Sequence, residues 1–154
     1  MEEYENATKL DETNALYFYS LRFAHRQIEQ EMTETFKFTS SIANDAKDPW
    51  AHYDVGMSLM KSMKLDKSEE SLRKAVKLAP NFAEAYYGLG QLYCKKEMVD
   101  DAVKMLKKAA SINGKYADPH KLLGNIYMQD LGLVEKAMEE FEIYRKLKRR
   151  KKVN

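Results

Sequence analysis

Residues 83–112 read AEAYYGLGQLYCKKEMVDDAVKMLKKAASI, two amphipathic segments on either side of a short polar break, KKEMVD. Gly88 and Gly90 lie inside the first segment, where each glycine costs a helix about 1 kcal/mol relative to alanine. A phosphate-binding loop, a kinked helix or the close approach of a second helix would each account for the pair. The flanking sequence decides between them, because it repeats the same arrangement.

The repeat has a period of 34 residues. Gly56, Gly90 and Gly124 follow one another at this distance, and apolar residues recur three and four positions apart on both sides of each polar break. In the third unit the pattern after the break is displaced by one position, so QDLGLV contains a one-residue insertion. The sequence therefore predicts three helical hairpins, over residues 49–82, 83–116 and 117–147.

The repeated residues resemble the tetratricopeptide repeat family, over roughly residues 49–147. The match is best in AYYGLGQLY, at residues 85–93, and in the DDAVKMLKKA that follows. The resemblance implies an all-α fold, a right-handed α-solenoid of stacked hairpins whose first helices line a concave groove that binds a peptide. It also implies that the repeated glycines lie where the two helices of a hairpin cross, since a missing Cβ lets two backbones approach closely.

The phosphate-loop interpretation fails on its context. GLGQLY lacks the third glycine of a dinucleotide-binding fingerprint and lies within a helical pattern rather than after a strand. Gly88 does not repeat, because Asp54 and Leu122 occupy the equivalent positions. We therefore expect Gly88 to lie on an exposed, groove-facing part of its helix.

The residues before the repeats are also helical in pattern. Residues 1–47 contain neither glycine nor proline, and the stretches NALYFYSLRFAHRQIEQ and TETFKFTSSIAND both favour helix. We expect a flexible segment over residues 1–14 and a helical cap over residues 15–48, formed by a degenerate repeat. The alternative is one long helix that pairs with a second copy of the protein.

Composition indicates the compartment. A single cysteine excludes an internal disulfide framework and suits a reducing environment. No apolar run reaches the length of a membrane span, and the acidic start MEEYENATKL lacks the apolar segment of a secretory signal. We therefore expect a cytoplasmic protein, with the nucleus as the alternative that a basic tail would indicate.

The charge of the chain is asymmetric. The last ten residues, RKLKRRKKVN, contain seven of the 26 Lys and Arg residues and no acid, so residues 1–144 hold 19 basic against 24 acidic residues. Residues 148–154 of this tail lie beyond the last predicted hairpin. The tail indicates an alternative function, which is to bind nucleic acid or an anionic membrane surface. The basic residues concerned are Arg145, Lys146, Lys148, Arg149, Arg150, Lys151 and Lys152.

Residues capable of catalysis or metal binding are sparse. Of the three histidines, His52 and His120 share one repeat position, where we expect them to pack within their hairpins, too far apart to share a metal. Cys94 has no neighbouring cysteine and no feature of a nucleophile. We expect no enzyme activity, no metal and no cofactor.

The resemblance assigns a set of first-helix residues to the groove by repeat position. Leu16, Tyr19 and Phe23 join them if the N-terminal hairpin stacks on the first repeat. The assigned residues are Trp50, Tyr53, Met57, Met60, Lys61, Glu84, Tyr87, Gln91, Cys94, Lys95, Asp118, Lys121, Asn125 and Met128.

The composition of this groove predicts the kind of partner. Repeats that bind the acidic C-termini of chaperones carry Lys and Asn where this chain has Tyr53 and Met57, so the sequence argues against a chaperone tail. The assigned charges are of mixed sign, and aromatic and Met side chains supply adaptable contact area. We expect a scaffold or adaptor that binds an apolar or amphipathic peptide segment of a protein partner.

The last helix has no following hairpin. Because few residues follow Tyr144, we expect this helix to continue into the basic tail and to leave Met138 and Ile143 uncovered. Weak self-association, or a partner that covers this edge, would follow.

Overall fold

A computed structural model describes residues 47–153 of the protein. The flexible segment expected over residues 1–14 and nearly all of the cap expected over residues 15–48 lie outside this described part. In this part the chain forms six helices and no strand. The helices are α1 (Pro49–Lys61), α2 (Leu65–Leu78), α3 (Ala83–Lys95), α4 (Val99–Ile112), α5 (Ala117–Gln129) and α6 (Val134–Val153).

The helices pair in sequence order. Hairpin 1 is α1 with α2, hairpin 2 is α3 with α4, and hairpin 3 is α5 with α6; α2 also packs on α3, and α4 on α5. One continuous core runs through all three hairpins, because α2 and α4 each pack between the first helices on either side of them. This arrangement confirms the predicted all-α solenoid. Leucines that are at most 2% exposed fill its centre: Leu72, Leu89, Leu92, Leu106 and Leu123.

The repeated glycines lie at the helix crossings, as predicted. A Cβ on Gly90 would lie 2.6 Å from Leu106 Cδ2, closer than carbon atoms pack. A Cβ on Gly56 would meet Leu72 at the same distance, and one on Gly124 would meet Phe141. The two helices of each hairpin can therefore approach only because these positions lack a side chain.

Gly88 is buried, so the expectation that it lies on an exposed face is wrong. A Cβ at this position would lie 3.1 Å from Met57 Sδ and 3.3 Å from Leu72 Cδ2, both in hairpin 1. Gly88 thus allows hairpin 2 to approach hairpin 1, whereas Gly90 allows the approach within hairpin 2. The two neighbouring glycines serve two different contacts.

The turns inside the hairpins share one backbone feature. Met63, Glu97 and Gly132 have φ values of 57°, 59° and 63°, in the left-handed region that favours glycine. The first two turns contain three residues each, and the turn before α6 contains four, residues 130–133. The turn before α6 is therefore one residue longer than the other two, and its extra residue lies ahead of Gly132.

Replacing Glu97 with glycine should stabilise the protein by about 0.5–1 kcal/mol, because a side chain in the left-handed region strains the backbone. Glu97 is exposed, so little contact is lost. Chemical denaturation of the variant beside wild type measures the change. The reciprocal variant, Gly132→Ala, should lose stability for the same reason, and a loss in both variants would contradict this account.

Hairpins 1 and 2 are joined by a polar network centred on Glu69 of α2. Its Oε1 accepts hydrogen bonds from the Tyr93 hydroxyl at 2.8 Å and from Arg73 Nε at 2.9 Å, and its Oε2 accepts from Lys96 Nζ at 2.8 Å. Partial burial by itself would raise the pKa of Glu69, but the hydrogen bonds from Lys96, Tyr93 and Arg73 outweigh it and lower the pKa to about 2. The carboxylate therefore stabilises the contact between the two hairpins.

The contact between hairpins 2 and 3 has different chemistry. One repeat after Glu69 the chain has Val103, which packs against the apolar core. Tyr127 occupies the repeat position of Tyr93. Its ring centre lies 6.0 Å from Lys107 Nζ, whereas the hydroxyl of Tyr93 donates to the carboxylate of Glu69. The second contact is therefore mainly apolar.

Glu69→Gln should cost about 1–2 kcal/mol at neutral pH, because three donors lose a charged acceptor. The lowered pKa means that the stabilisation is complete above about pH 4.5 and is lost as the pH falls towards 2. Denaturation of wild type and variant at several pH values should therefore show two curves that converge on acidification. Glu70→Gln, which removes an exposed, solvent-screened pair with Lys74 on the same helix, is the control and should change the pH profile far less. Parallel curves for Glu69→Gln would contradict this assignment.

Candidate functional site

The first helices α1, α3 and α5 carry the residues assigned to the groove, and we call their outer surface the groove face. Trp50 and Met128 are 54% and 40% exposed, and the three lysines of the set, Lys61, Lys95 and Lys121, are also exposed. The remaining accessible members are half-buried: Tyr53, Met57, Glu84, Tyr87, Gln91, Cys94, Asp118 and Asn125.

Met60 does not belong to this surface. It is 5% exposed and packs in the core with Leu92 and Tyr93 of hairpin 2. The assignment of Met60 to the groove is therefore wrong, because the following hairpin covers it.

An aromatic cluster lies at the junction of hairpins 1 and 2. The ring centres of Trp50 and Phe82 are 4.4 Å apart, those of Tyr53 and Phe82 5.2 Å, and those of Trp50 and Tyr53 5.8 Å. Phe82 is buried and holds the two other rings in place, and more than half of Trp50 faces solvent. The cluster thus presents a rigid aromatic surface at the start of α1 and α3.

The same contact recurs one hairpin later. Tyr87 and Tyr116 have ring centres 5.3 Å apart, and they occupy the repeat positions of Tyr53 and Phe82. Sequence reasoning missed Phe82 and Tyr116, although both stand directly before a first helix and 34 residues apart. Each ring packs on the first helix of the preceding hairpin, so the aromatic surface continues along the stack.

The electrostatics of this surface are acidic near the start of the first helices. Burial raises the pKa of Tyr53, and the charges of Asp54 and Glu84 raise it further. Burial, followed by the charge of Asp118 among other causes, raises the pKa of Tyr87. The pKa of Asp54 is raised by burial and by the charge of Asp48. Burial is also the main cause that raises the pKa of Tyr116. The hydroxyls of Tyr53, Tyr87 and Tyr116 therefore stay neutral at physiological pH, beside carboxylates.

Comparison with known families identifies the middle of the described part. The sequence pattern of the tetratricopeptide repeat family matches residues 59–126. Residues 59–126 are tetratricopeptide repeats. The match runs from the end of α1 to α5, and so includes the whole tetratricopeptide hairpin 2 with both of its neighbouring contacts. No curated protein matches the sequence.

Several solved structures share this fold. A crystal structure of MamA superposes with a TM-score of 0.74 at 21% identity, covering 98% of this chain and 88% of that one. MamA from residue 41 to the end, from Desulfovibrio magneticus RS-1, gives 0.70 at 23% identity, covering 85% and 73%. The pilF protein of Pseudomonas aeruginosa gives 0.72 at 18% identity, covering 84% of this chain and 59% of that one. At these identities the likeness concerns the fold.

The last helix, α6, runs to Val153 and so includes most of the basic tail, as expected. Lys148 Nζ lies 3.2 Å from Asp118 Oδ1, and Lys146 pairs with Glu142 at 2.8 Å. Arg145, Arg149 and Arg150 are exposed; the side chains of Lys151 and Lys152 lie outside the described part. Binding of nucleic acid or anionic lipid by this tail stays a prediction.

The outer flank of α6 is apolar and uncovered, as expected for a stack end. Met138 is 62% exposed, Val134 51% and Ile143 39%. Self-association through this flank stays a prediction. Among the helices between residues 49 and 153, none combines the length and apolar character that crossing a membrane requires.

The histidines and the cysteine of the described part lie in packed surroundings. His120 Nδ1 lies 2.6 Å from Glu140 Oε2, so this histidine joins α5 to α6, and His52 is 6% exposed. No group of side chains within residues 47–153 has the arrangement of a metal site. Burial, and then the charge of Asp130, raises the pKa of the half-buried Cys94, which disfavours the nucleophilic thiolate.

Proposed function

We propose that this protein is a non-catalytic scaffold that binds an apolar or amphipathic segment of a protein partner on the groove face. The main observation behind this proposal is that Trp50 is 54% exposed although it packs on Phe82 and Tyr53. A large ring held rigidly in solvent loses little conformational entropy on binding, and such residues dominate binding energies at protein interfaces. Tetratricopeptide repeats at residues 59–126 support the same role.

The neighbouring side chains favour an apolar contact. Tyr87, Met57 and Met128 extend the surface from Trp50 across all three first helices, and none of them is fully buried. Methionine adapts its shape to irregular partners, and tyrosine combines an apolar ring with a polar hydroxyl. An amphipathic segment would place its apolar face on this surface and its polar face towards solvent.

The test begins with a peptide selected on the immobilised protein from a random 16-residue phage-display library. Its affinity should fall about 30-fold in Trp50→Ala and in Tyr87→Ala, since truncation of a binding hot spot costs about 2 kcal/mol. Fluorescence anisotropy measures the affinities, and thermal melts establish that both variants are folded. Lys95→Ala is the matched control on the same face and should bind normally.

The opposite pattern would overturn the proposal. If Lys95→Ala abolished binding and the aromatic variants were silent, the ligand would be ionic. A salt titration separates the remaining alternative: a complex made through the many charges of the basic tail should weaken steeply with salt, whereas a groove complex held mainly by apolar contacts should weaken far less.

A further inference from the structure

In hairpin 3 a lysine of α6 lies against a carboxylate of the groove face. Asp118, in the first turn of α5, pairs with Lys148 at 3.2 Å. The same ammonium group lies 5.6 Å from the ring centre of Tyr144. A carboxylate and a tyrosine ring therefore hold one lysine between them, which is a favourable environment for a positive charge.

Hairpin 2 has the same carboxylate without a cation. Glu84 occupies the repeat position of Asp118, in the first turn of α3. None of the ion pairs found within residues 47–153 includes Glu84. Its charge contributes to the raised pKa values of Tyr53 and Tyr116, after the larger effect of burial, so its carboxylate acts on rings from both sides of α3.

We propose that the partner segment is basic as well as amphipathic, and that one of its Lys or Arg side chains binds at Glu84 among the aromatic rings. This inference rests on the proposed function and specifies the chemistry of its ligand. The cation pairs with the carboxylate and contacts the faces of Tyr53 and Trp50, while apolar residues of the segment pack on the rest of the aromatic surface.

The distribution of charge on the groove face favours this occupant. Glu84 and Asp118 lie in the first turns of their helices, and Asp54 adds a carboxylate next to Tyr53. Of the three exposed lysines, Lys61 and Lys95 lie in the last turns of α1 and α3, and Lys121 lies near the start of α5, 5.9 Å from the ring centre of Tyr144. An acidic segment would be repelled at the aromatic end of the face, where a basic one is attracted by carboxylates and ring faces together.

The probes for this inference are three synthetic 16-residue peptides with one leucine-rich apolar face. Their polar positions are all lysine, all glutamine or all glutamate. At physiological salt the lysine peptide should bind wild type at least about tenfold more tightly than the glutamate peptide. Glu84→Gln should weaken the lysine peptide about tenfold and leave the glutamine peptide unchanged, and Glu84→Lys should improve binding of the glutamate peptide. Glu139→Gln, an exposed carboxylate on α6, is the matched control for net charge.

The outcomes separate this inference from the proposed function. If all three peptides bound equally and Trp50→Ala weakened each of them, the groove would be apolar and indifferent to charge, and the basic-segment inference would be overturned. If Trp50→Ala weakened none of them, the proposed function would fail as well. A complex between two copies of the chain that Glu84→Gln dissolved would also overturn it, since the occupant would then be this protein's own tail.

Discussion

Gly90→Leu should destabilise the protein by about 3 kcal/mol or more, at the upper end of the range for overpacking a core. A Cβ at this position would already lie 2.6 Å from Leu106 Cδ2 and 3.6 Å from the carbonyl oxygen of Ala102. The three further carbons of leucine have no space between α3 and α4, so the helices must separate and expose the core. Urea denaturation followed by circular dichroism measures the loss.

Two other glycines provide the comparison. Gly114→Leu should have a small effect, because nothing lies within 4 Å of a Cβ there. Gly88→Ala should fall between the two, since its nearest neighbour is the flexible end of Met57 rather than backbone. If Gly90→Leu and Gly114→Leu had equal effects, α3 and α4 would not cross at Gly90.

Leu72→Ala should cost about 3–4 kcal/mol, within the range for truncating a fully buried leucine. Leu72 is 0% exposed and is the side chain that fills the space left by Gly56 in hairpin 1. It also lies under Gly88 of hairpin 2. Its removal therefore leaves a cavity that touches three helices, which cannot collapse without moving two hairpins.

The matched control lies on the same helix. Leu78 is 42% exposed, so Leu78→Ala should cost well under about 1 kcal/mol, as for surface substitutions generally. Thermal and urea denaturation of the two variants should differ clearly. Similar losses would mean that Leu72 is not the side chain at this three-helix contact.

Contacts within one hairpin could be predicted from the sequence, because they depend on residues that repeat. The spacing of Gly56, Gly90 and Gly124 predicted the crossings, and the displaced third pattern predicted the longer turn before Gly132. In both cases a local geometric requirement left a trace at a fixed distance along the chain.

Contacts between hairpins could not be predicted in the same way, because equivalent positions have different surroundings along the stack. Met60, Cys94 and Met128 share one repeat position, yet Met60 is buried, Cys94 half-buried and Met128 40% exposed. The prediction that Gly88 is exposed was wrong for the same reason, because its burial depends on Met57 of the preceding hairpin. Burial in such an array depends on which neighbour covers a residue as well as on its place in the repeat.

The polar network at Glu69 has a consequence for the cooperativity of unfolding. In a linear array, stability is close to a sum of unit stabilities and nearest-neighbour couplings. Acid removes the coupling that Glu69 provides between hairpins 1 and 2, while Val103 preserves the next one. Acidification should therefore weaken the first coupling more than the second and broaden the unfolding transition, with hairpin 1 losing its structure before hairpins 2 and 3.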